Sequence, residues 1–256
     1  MALTLQIGDV DLKIPAQPLT QEGFMGFGDV VSNPRPGLHP HTAASQQHHA
    51  LLPNASSANQ GTAIQYRNVS RIRNLYSQAP SGKGGEPRMS MFVCAARQLR
   101  PSYDGTPEFT VRYLERHPFT TQTFSPLSST ASSYLVVVAP SLPPGRGGAG
   151  GLRGNDDDLP APTEGQDLPG RGLPNLQGLR AFVATADQAV TYGAGTWHAP
   201  MVALGEPGTA LDFVVFQYGN GREVEDCQLV ELESPGEREP RVTVSIPRRY
   251  RSLSKL

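Results

Sequence analysis

Apolar and polar residues in this chain are arranged in short runs and alternations that read as β-strands. Residues 90–97, SMFVCAAR, form an apolar run of strand length. Residues 109–117, FTVRYLERH, alternate. Phe109, Val111, Tyr113, Glu115 and His117 share one face, and Thr110, Arg112, Leu114 and Arg116 share the other. Residues 134–139 (YLVVVA), 180–185 (RAFVAT) and 210–218 (ALDFVVFQY) read as buried strands, the last with Leu211, Phe213, Val215 and Gln217 on one face. Residues 241–246, RVTVSI, alternate as a late strand. One short helix is expected after Thr20, whose hydroxyl can cap it. Many short strands joined by Gly/Pro turns predict an all-β sandwich or barrel.

Three stretches carry no such pattern and read as insertions: residues 37–57, 79–87 and 141–178. The third is dense in Gly, Pro and Asp and is expected to be a disordered surface excursion. The flanking sequence does not divide into two self-sufficient halves. Residues 1–256 are therefore expected to form one domain, ending in a tail over 247–256.

Composition sharpens this picture. The 256 residues include 27 Gly and 24 Pro, well above the usual share of about 12%, which disfavours a helical bundle. A net charge of -1 gives no overall positive field for nucleic acid or anionic lipid. No apolar run approaches the ~20 residues of a membrane span. The N-terminal residues lack the basic flank and apolar core of a secretory signal. Two cysteines, Cys94 and Cys227, are too few for a disulfide framework. A reducing compartment with both thiols free is the expectation.

Histidine placement carries the chemistry. His39, His41, His48 and His49 crowd into the first insertion, where a solvated loop with incidental histidines is the plainer reading. His117 and His198 stand instead at strand ends. If a strand restarts at Thr120, Gln122 and Phe124 share a face, and Gln122 offers both donor and acceptor. Gly193 and Gly195 permit a tight turn before Trp197 and His198. The spacing Gly195-x-x-His198 followed by Pro200 is similar to the second half of a cupin signature, and the His117 segment to the first half. No H-x-D/E pair stands near either histidine, which counts against a non-haem iron oxygenase.

The strings LERHPFTTQTFSPL, YLVVVAP, LRAFVATADQAVTYGAGTWHAPM and LDFVVFQYGNG, in that order, resemble the ureidoglycolate lyase family, with fungal members the nearest likeness. PLTQEGFMGFGDVV and ANQGTAIQYRNV fit the same family. Bacterial members commonly carry WHHP, where this chain has Ala199 in place of the second histidine. The resemblance implies a cupin-like β-barrel, a homodimer, and cleavage of (S)-ureidoglycolate to glyoxylate and urea. It associates some members with a divalent metal, nickel in particular. The residues themselves establish no cofactor.

The implied reaction reverses the addition of urea to an aldehyde. It needs a base for the hydroxyl proton, an acid for the departing nitrogen, and a grip on the carboxylate. His198 is the candidate base or metal ligand and His117 its partner; histidine suits both tasks near neutrality. Gln122 would orient the hydroxyl or urea group. Gln217 would read the urea, or else serve as a core amide satisfied by backbone. Arg116 and Arg180 are the candidate carboxylate cations, although alternation points Arg116 away from His117. For each, a surface or interface ion pair is the competing reading. Tyr66 and Asn59 are candidates for the pocket rim, and Trp197 for packing, its indole N–H seeking an acceptor. The chain ends in Ser254-Lys255-Leu256, the tripeptide read by the peroxisomal import receptor. The alternatives are a non-catalytic cupin-type binding protein and an amidohydrolase that releases ammonia.

Overall fold

The computed structural model describes residues 3–41, 51–127, 129–143, 159–163, 168, 170–236 and 239–247. The chain opens with β1 (Leu3–Gln6), β2 (Asp11–Pro15) and β3 (Gln17–Pro18), then a single helical turn, α1 (Gln21–Phe24). Thr20 caps that turn as expected, its hydroxyl accepting from the Gly23 N–H. After β4 (Gly28–Val31), the hairpin β5 (Ala55–Ala58) and β6 (Ala63–Tyr66) forms a separate two-stranded sheet. Next come β7 (Glu86–Ala95), β8 (Arg100–Pro101), β9 (Pro107–Thr110) and β10 (Tyr113–Arg116). They are followed by β11 (Gln122–Pro126), β12 (Ser133–Ala139), β13 (Arg180–Thr185), β14 (Ala189–Tyr192) and β15 (Trp197–His198). The last elements are β16 (Val202–Leu204), β17 (Ala210–Gly219), the turn α2 (Glu223–Asp226), β18 (Gln228–Glu233) and β19 (Arg241–Ser245).

Three sheets stack in layers. The central one has the order β1-β18-β10-β15-β12-β13-β3, with β16 also pairing β12. On one side lies β4-β14-β11-β17-β7, and on the other β2-β19-β9-β8. The all-β expectation holds. The arrangement is a sandwich rather than a closed barrel, because β7 and β4 end their sheet without meeting. Phe24, Phe124, Tyr134, Val136, Val138, Phe182, Val190 and Phe213 fill the gap between the central and five-stranded sheets. Leu5, Leu114, Leu135, Val137, Trp197, Val230 and Val242 fill the gap on the opposite side. The strand β12 feeds both clusters, so after Ser133 its sequence is a continuous buried run rather than an alternation.

Five expectations need correction. Residues 109–117 are not one strand. The chain leaves β9 and enters β10 in a different sheet, and Val111 and Leu114 reach the same core cluster because the parity changes at the crossing. Residues 210–218 are buried on one face only, since the other face of β17 is partly open. The insertion over 37–57 reaches into β5, and that over 79–87 is tied down: Ala79 is buried, Ser81 hydrogen-bonds Glu225, and Glu86 and Pro87 begin β7. The third insertion also has a packed border, where Leu173 and Leu176 enter the core. Most of its length lies outside the described residues, as do His48, His49 and the tail beyond residue 247. Among the described residues no helix is long and apolar enough to cross a membrane.

Candidate active site

Strand register brings together what the sequence separates. Across the central sheet, Arg180, Val138, His198, Glu115 and Leu229 are successive direct partners on β13, β12, β15, β10 and β18. Across the five-stranded sheet, Gly28, Tyr192, Gln122, Gln217 and Arg88 are partners on β4, β14, β11, β17 and β7. Directly paired residues project from the same face of a sheet, so each row presents one line of side chains. The rows meet where the Tyr192 ring stacks on His198, with centroids 3.9 Å apart and planes 10° from parallel.

His117 follows β10, and its backbone carbonyl accepts from the Gly195 N–H. Gly195 has φ +79°, a left-handed conformation that costs a β-carbon-bearing residue energy. This turn holds the two histidine segments side by side, with ring centroids 5.6 Å apart. Each imidazole is fixed the same way. His117 Nδ1 lies 2.6 Å from the Asp226 carbonyl oxygen, and His198 Nδ1 lies 2.9 Å from that of Thr196. A carbonyl oxygen only accepts, so each Nδ1 carries a proton, which in the neutral tautomer leaves the ring's lone pair on Nε2. Both Nε2 atoms are buried without a hydrogen-bond partner. Burial and the neighbouring His198 push the His117 imidazole below its ordinary value.

The structure adds a residue that the sequence reading passed over. Glu115 Oε1 is 3.6 Å from His198 Nε2, and donor atoms of Glu115, His117 and His198 lie within 4.8 Å of one another. Burial pushes the Glu115 carboxyl up, but the two imidazoles outweigh it and hold the group below the usual glutamate value. No H-x-D/E pair stands near either histidine, yet an acid accompanies them. The acid precedes His117, as Glu115-x-His117, on the face that alternation assigns to both. Cys227 lies beside it, Sγ 3.9 Å from Glu115 Oε2, and burial with that carboxylate pushes the thiol up to about 12. Both cysteines are free.

Gln122 Nε2 donates to Gln217 Oε1 at 2.6 Å, so the partner of Gln217 is a side chain rather than backbone. Gln122 Oε1 is left buried without a partner. The arginine candidates separate. Arg116 is fully buried on the opposite face of the central sheet. Its Nε donates to Gln228 Oε1, Nη1 to the Gly172 carbonyl and Nη2 to the Arg171 carbonyl, and its guanidinium lies 4.6 Å over the Trp197 ring. It is neither a substrate cation nor a surface residue, because β10 alternation turns it into the far core layer. Trp197 is buried and its indole donates to the same Gly172 carbonyl. Arg180 is exposed at the end of its row and donates to the Leu179 carbonyl. Asn59 and Tyr66 belong to the β5–β6 hairpin, which pairs with no strand of either row among the described residues. His39 and His41 are exposed, with rings 5.3 Å apart.

The sequence model of the family described as ureidoglycolate lyase matches residues 11–239. The chain is 36% identical to a ureidoglycolate lyase of Schizosaccharomyces pombe, over 87% of this chain and 93% of that protein. The chain belongs to the ureidoglycolate lyase family. A ureidoglycolate lyase of Saccharomyces cerevisiae is 31% identical over 84% of this chain and 91% of its own length. One of Burkholderia mallei is 30% identical over 84% and 88%. The family resemblance marked by the ERHP and GTWHAP strings thus extends over most of the chain. Those strings supply His117 and His198, the two residues that the fold places ring to ring.

Proposed function

We propose that this chain cleaves (S)-ureidoglycolate to glyoxylate and urea. One observation carries the reading: two buried imidazoles present Nε2 atoms without hydrogen-bond partners beside a carboxylate. In this reading a bare Nε2 takes the proton of the substrate hydroxyl. The oxygen lone pair forms the aldehyde C=O, the C–N bond breaks, and the imidazolium returns the proton to the departing nitrogen. Glu115 favours the transient imidazolium by its charge. The unpartnered Oε1 of Gln122 accepts from a urea N–H, which holds the leaving group. A positioned proton carrier of this kind contributes roughly 10²–10⁴-fold.

The donor set also fits a divalent transition-metal ion, for which imidazole and carboxylate are suitable ligands. Two orphaned nitrogens and a carboxylate are what such an ion requires, and His117, His198 and Glu115 would hold it. When bound, the ion would supply Lewis acidity to a substrate oxygen. A given lone pair serves an ion or a proton, not both at once.

The reading extends to assembly and address. Met89, Met91 and Val93 project from one face of β7, 75%, 63% and 69% exposed, on a ten-residue strand at the edge of its sheet. An apolar edge of this length invites association, and a second copy of the chain is its proposed cover. Ser254-Lys255-Leu256 is the proposed peroxisomal address; a fluorescent fusion that stays diffuse with the tripeptide intact would refute it.

Product identification tests the reaction. Incubation with (S)-ureidoglycolate is expected to release urea and glyoxylate in equal amounts without ammonia. Ammonia as the nitrogen product would make the protein an amidohydrolase, and binding without turnover would make it a binding protein.

A further inference from the structure

The proposed substrate is an anion, yet the charged group beside the two imidazoles is the Glu115 carboxylate. A further cation near the histidines would hold the substrate carboxylate, and Arg116 faces the other way. We infer that Arg88, which no sequence motif marks, grips the substrate carboxylate. The inference rests on the lyase reading above and deepens it.

Three observations place Arg88 there. It is the direct partner of Gln217 on β7, so it ends the row Tyr192, Gln122, Gln217, Arg88 on the face that meets His198. Its Nη1 reaches Asp226 Oδ2 at 3.4 Å, and the carbonyl of that same Asp226 holds His117 Nδ1. The guanidinium is therefore one residue removed from the His117 ring. Finally, the chain makes room for it. A β-carbon on Gly219 would lie 2.7 Å from Arg88 Cζ and 2.8 Å from Nη1, so a side chain at 219 would displace the guanidinium.

The guanidinium is poised rather than consumed. Its contact with Asp226 is long for an ion pair, and its side chain is 48% exposed. Asp226 is itself held by shorter bonds from Tyr76 Oη and the Asn220 and Gly221 N–H groups, each at 2.7 Å. Those donors keep the Asp226 carbonyl on His117 when Arg88 turns to a ligand. Arginine has five N–H donors and can hold a carboxylate through two of them. Arg180 lies in the opposing row but is separated from His198 by Val138 and directs Nη1 at its own neighbour's carbonyl.

The test uses the full chain and its two products as probes. Glyoxylate carries the carboxylate and urea does not. Calorimetry on wild type and R88Q is expected to show glyoxylate affinity falling on the order of 100-fold, as for loss of a bidentate charge-assisted contact, with urea affinity unchanged. R88K is expected to retain part of the glyoxylate affinity, and G219A, which keeps the arginine but moves it, to lose most of it. In turnover, R88Q is expected to raise KM for (S)-ureidoglycolate far more than it lowers kcat. Glyoxylate binding equal in wild type and R88Q overturns the inference. So does equal weakening of both products with kcat falling at constant KM, which would mean that Arg88 acts only through Asp226 on His117. Absence of urea release by wild type would instead sink the lyase reading, and the glyoxylate comparison is read independently of it.

Discussion

Replacing Arg116 with methionine distinguishes its structural assignment from the substrate role that its place in the ERHP string suggests. The guanidinium donates to Gln228 Oε1 and to the Gly172 and Arg171 carbonyls and lies over Trp197. Each charge-assisted bond contributes about 1.5–3 kcal/mol and a desolvated cation–π contact about 1–2. Relief of the cation's burial, which costs several kcal/mol, opposes their loss. Methionine fills much of the volume. The Gly172 carbonyl keeps its bond from the Trp197 indole, whereas the Arg171 carbonyl and Gln228 Oε1 each lose a donor. Two acceptors stranded at about 1–3 kcal/mol apiece give a net loss of about 2–6 kcal/mol. For a chain of this size that lowers Tm by roughly 4–24 °C, at about 2–4 °C per kcal/mol. Thermal unfolding followed by circular dichroism measures it, with KM for ureidoglycolate determined well below Tm. An R116M protein with wild-type Tm and a KM raised on the order of 100-fold would restore Arg116 as the substrate cation and refute the reasoning.

Three further outcomes follow from the structure. Burial pushes the Glu225 carboxyl up, but donors from Ser81 and Asn220 outweigh it and hold the group below its ordinary 4.5. A depressed carboxyl contributes stability that is present above the unfolded-state value and lost as pH falls through the folded one. The urea midpoint of E225Q should therefore lie below that of wild type at pH 7, with the gap closing below about pH 4.5; a gap independent of pH contradicts this. Dialysis against a chelator assigns the two Nε2 atoms. Full urea release without metal gives them to proton transfer, and loss restored by nickel or another divalent ion gives them to metal binding. Substitution of Met91 with glutamate on the exposed face of β7 is expected to convert a dimer to a monomer in sedimentation; an unchanged mass excludes that face.

The sequence made much of this architecture legible where burial is one-sided or complete. β19 alternates, β12 is uniformly apolar from Leu135 to Ala139 because it lies between two core layers, and Thr20 caps α1 as its type predicts. The break between β9 and β10 was not readable. The alternation continues through residues 111 and 112 while the chain changes sheets, and nothing local records which sheet accepts a strand. β7 shows the complementary difficulty. Its apolar run signals a strand but cannot say what covers it, and it stands exposed. His117 and His198 were conspicuous by their strings, but their meeting depends on the pairing of Glu115 with His198 and on the Gly195 turn. Glu115 escapes the H-x-D/E pattern because the acid precedes His117 instead of following it. The roles of Arg116 and Arg88 were hidden for one reason. Each depends on a backbone segment distant in sequence, Gly172 for the first and Gly219 for the second.

The central claim is that the Nε2 atoms of His117 and His198 carry the reaction. The direct measurement is urea release from (S)-ureidoglycolate by H117N and H198N, each checked for a wild-type circular dichroism spectrum. The account predicts that each variant loses at least about 100-fold in kcat/KM, the lower end of what a positioned proton carrier contributes. Near-normal turnover in both folded variants would contradict it.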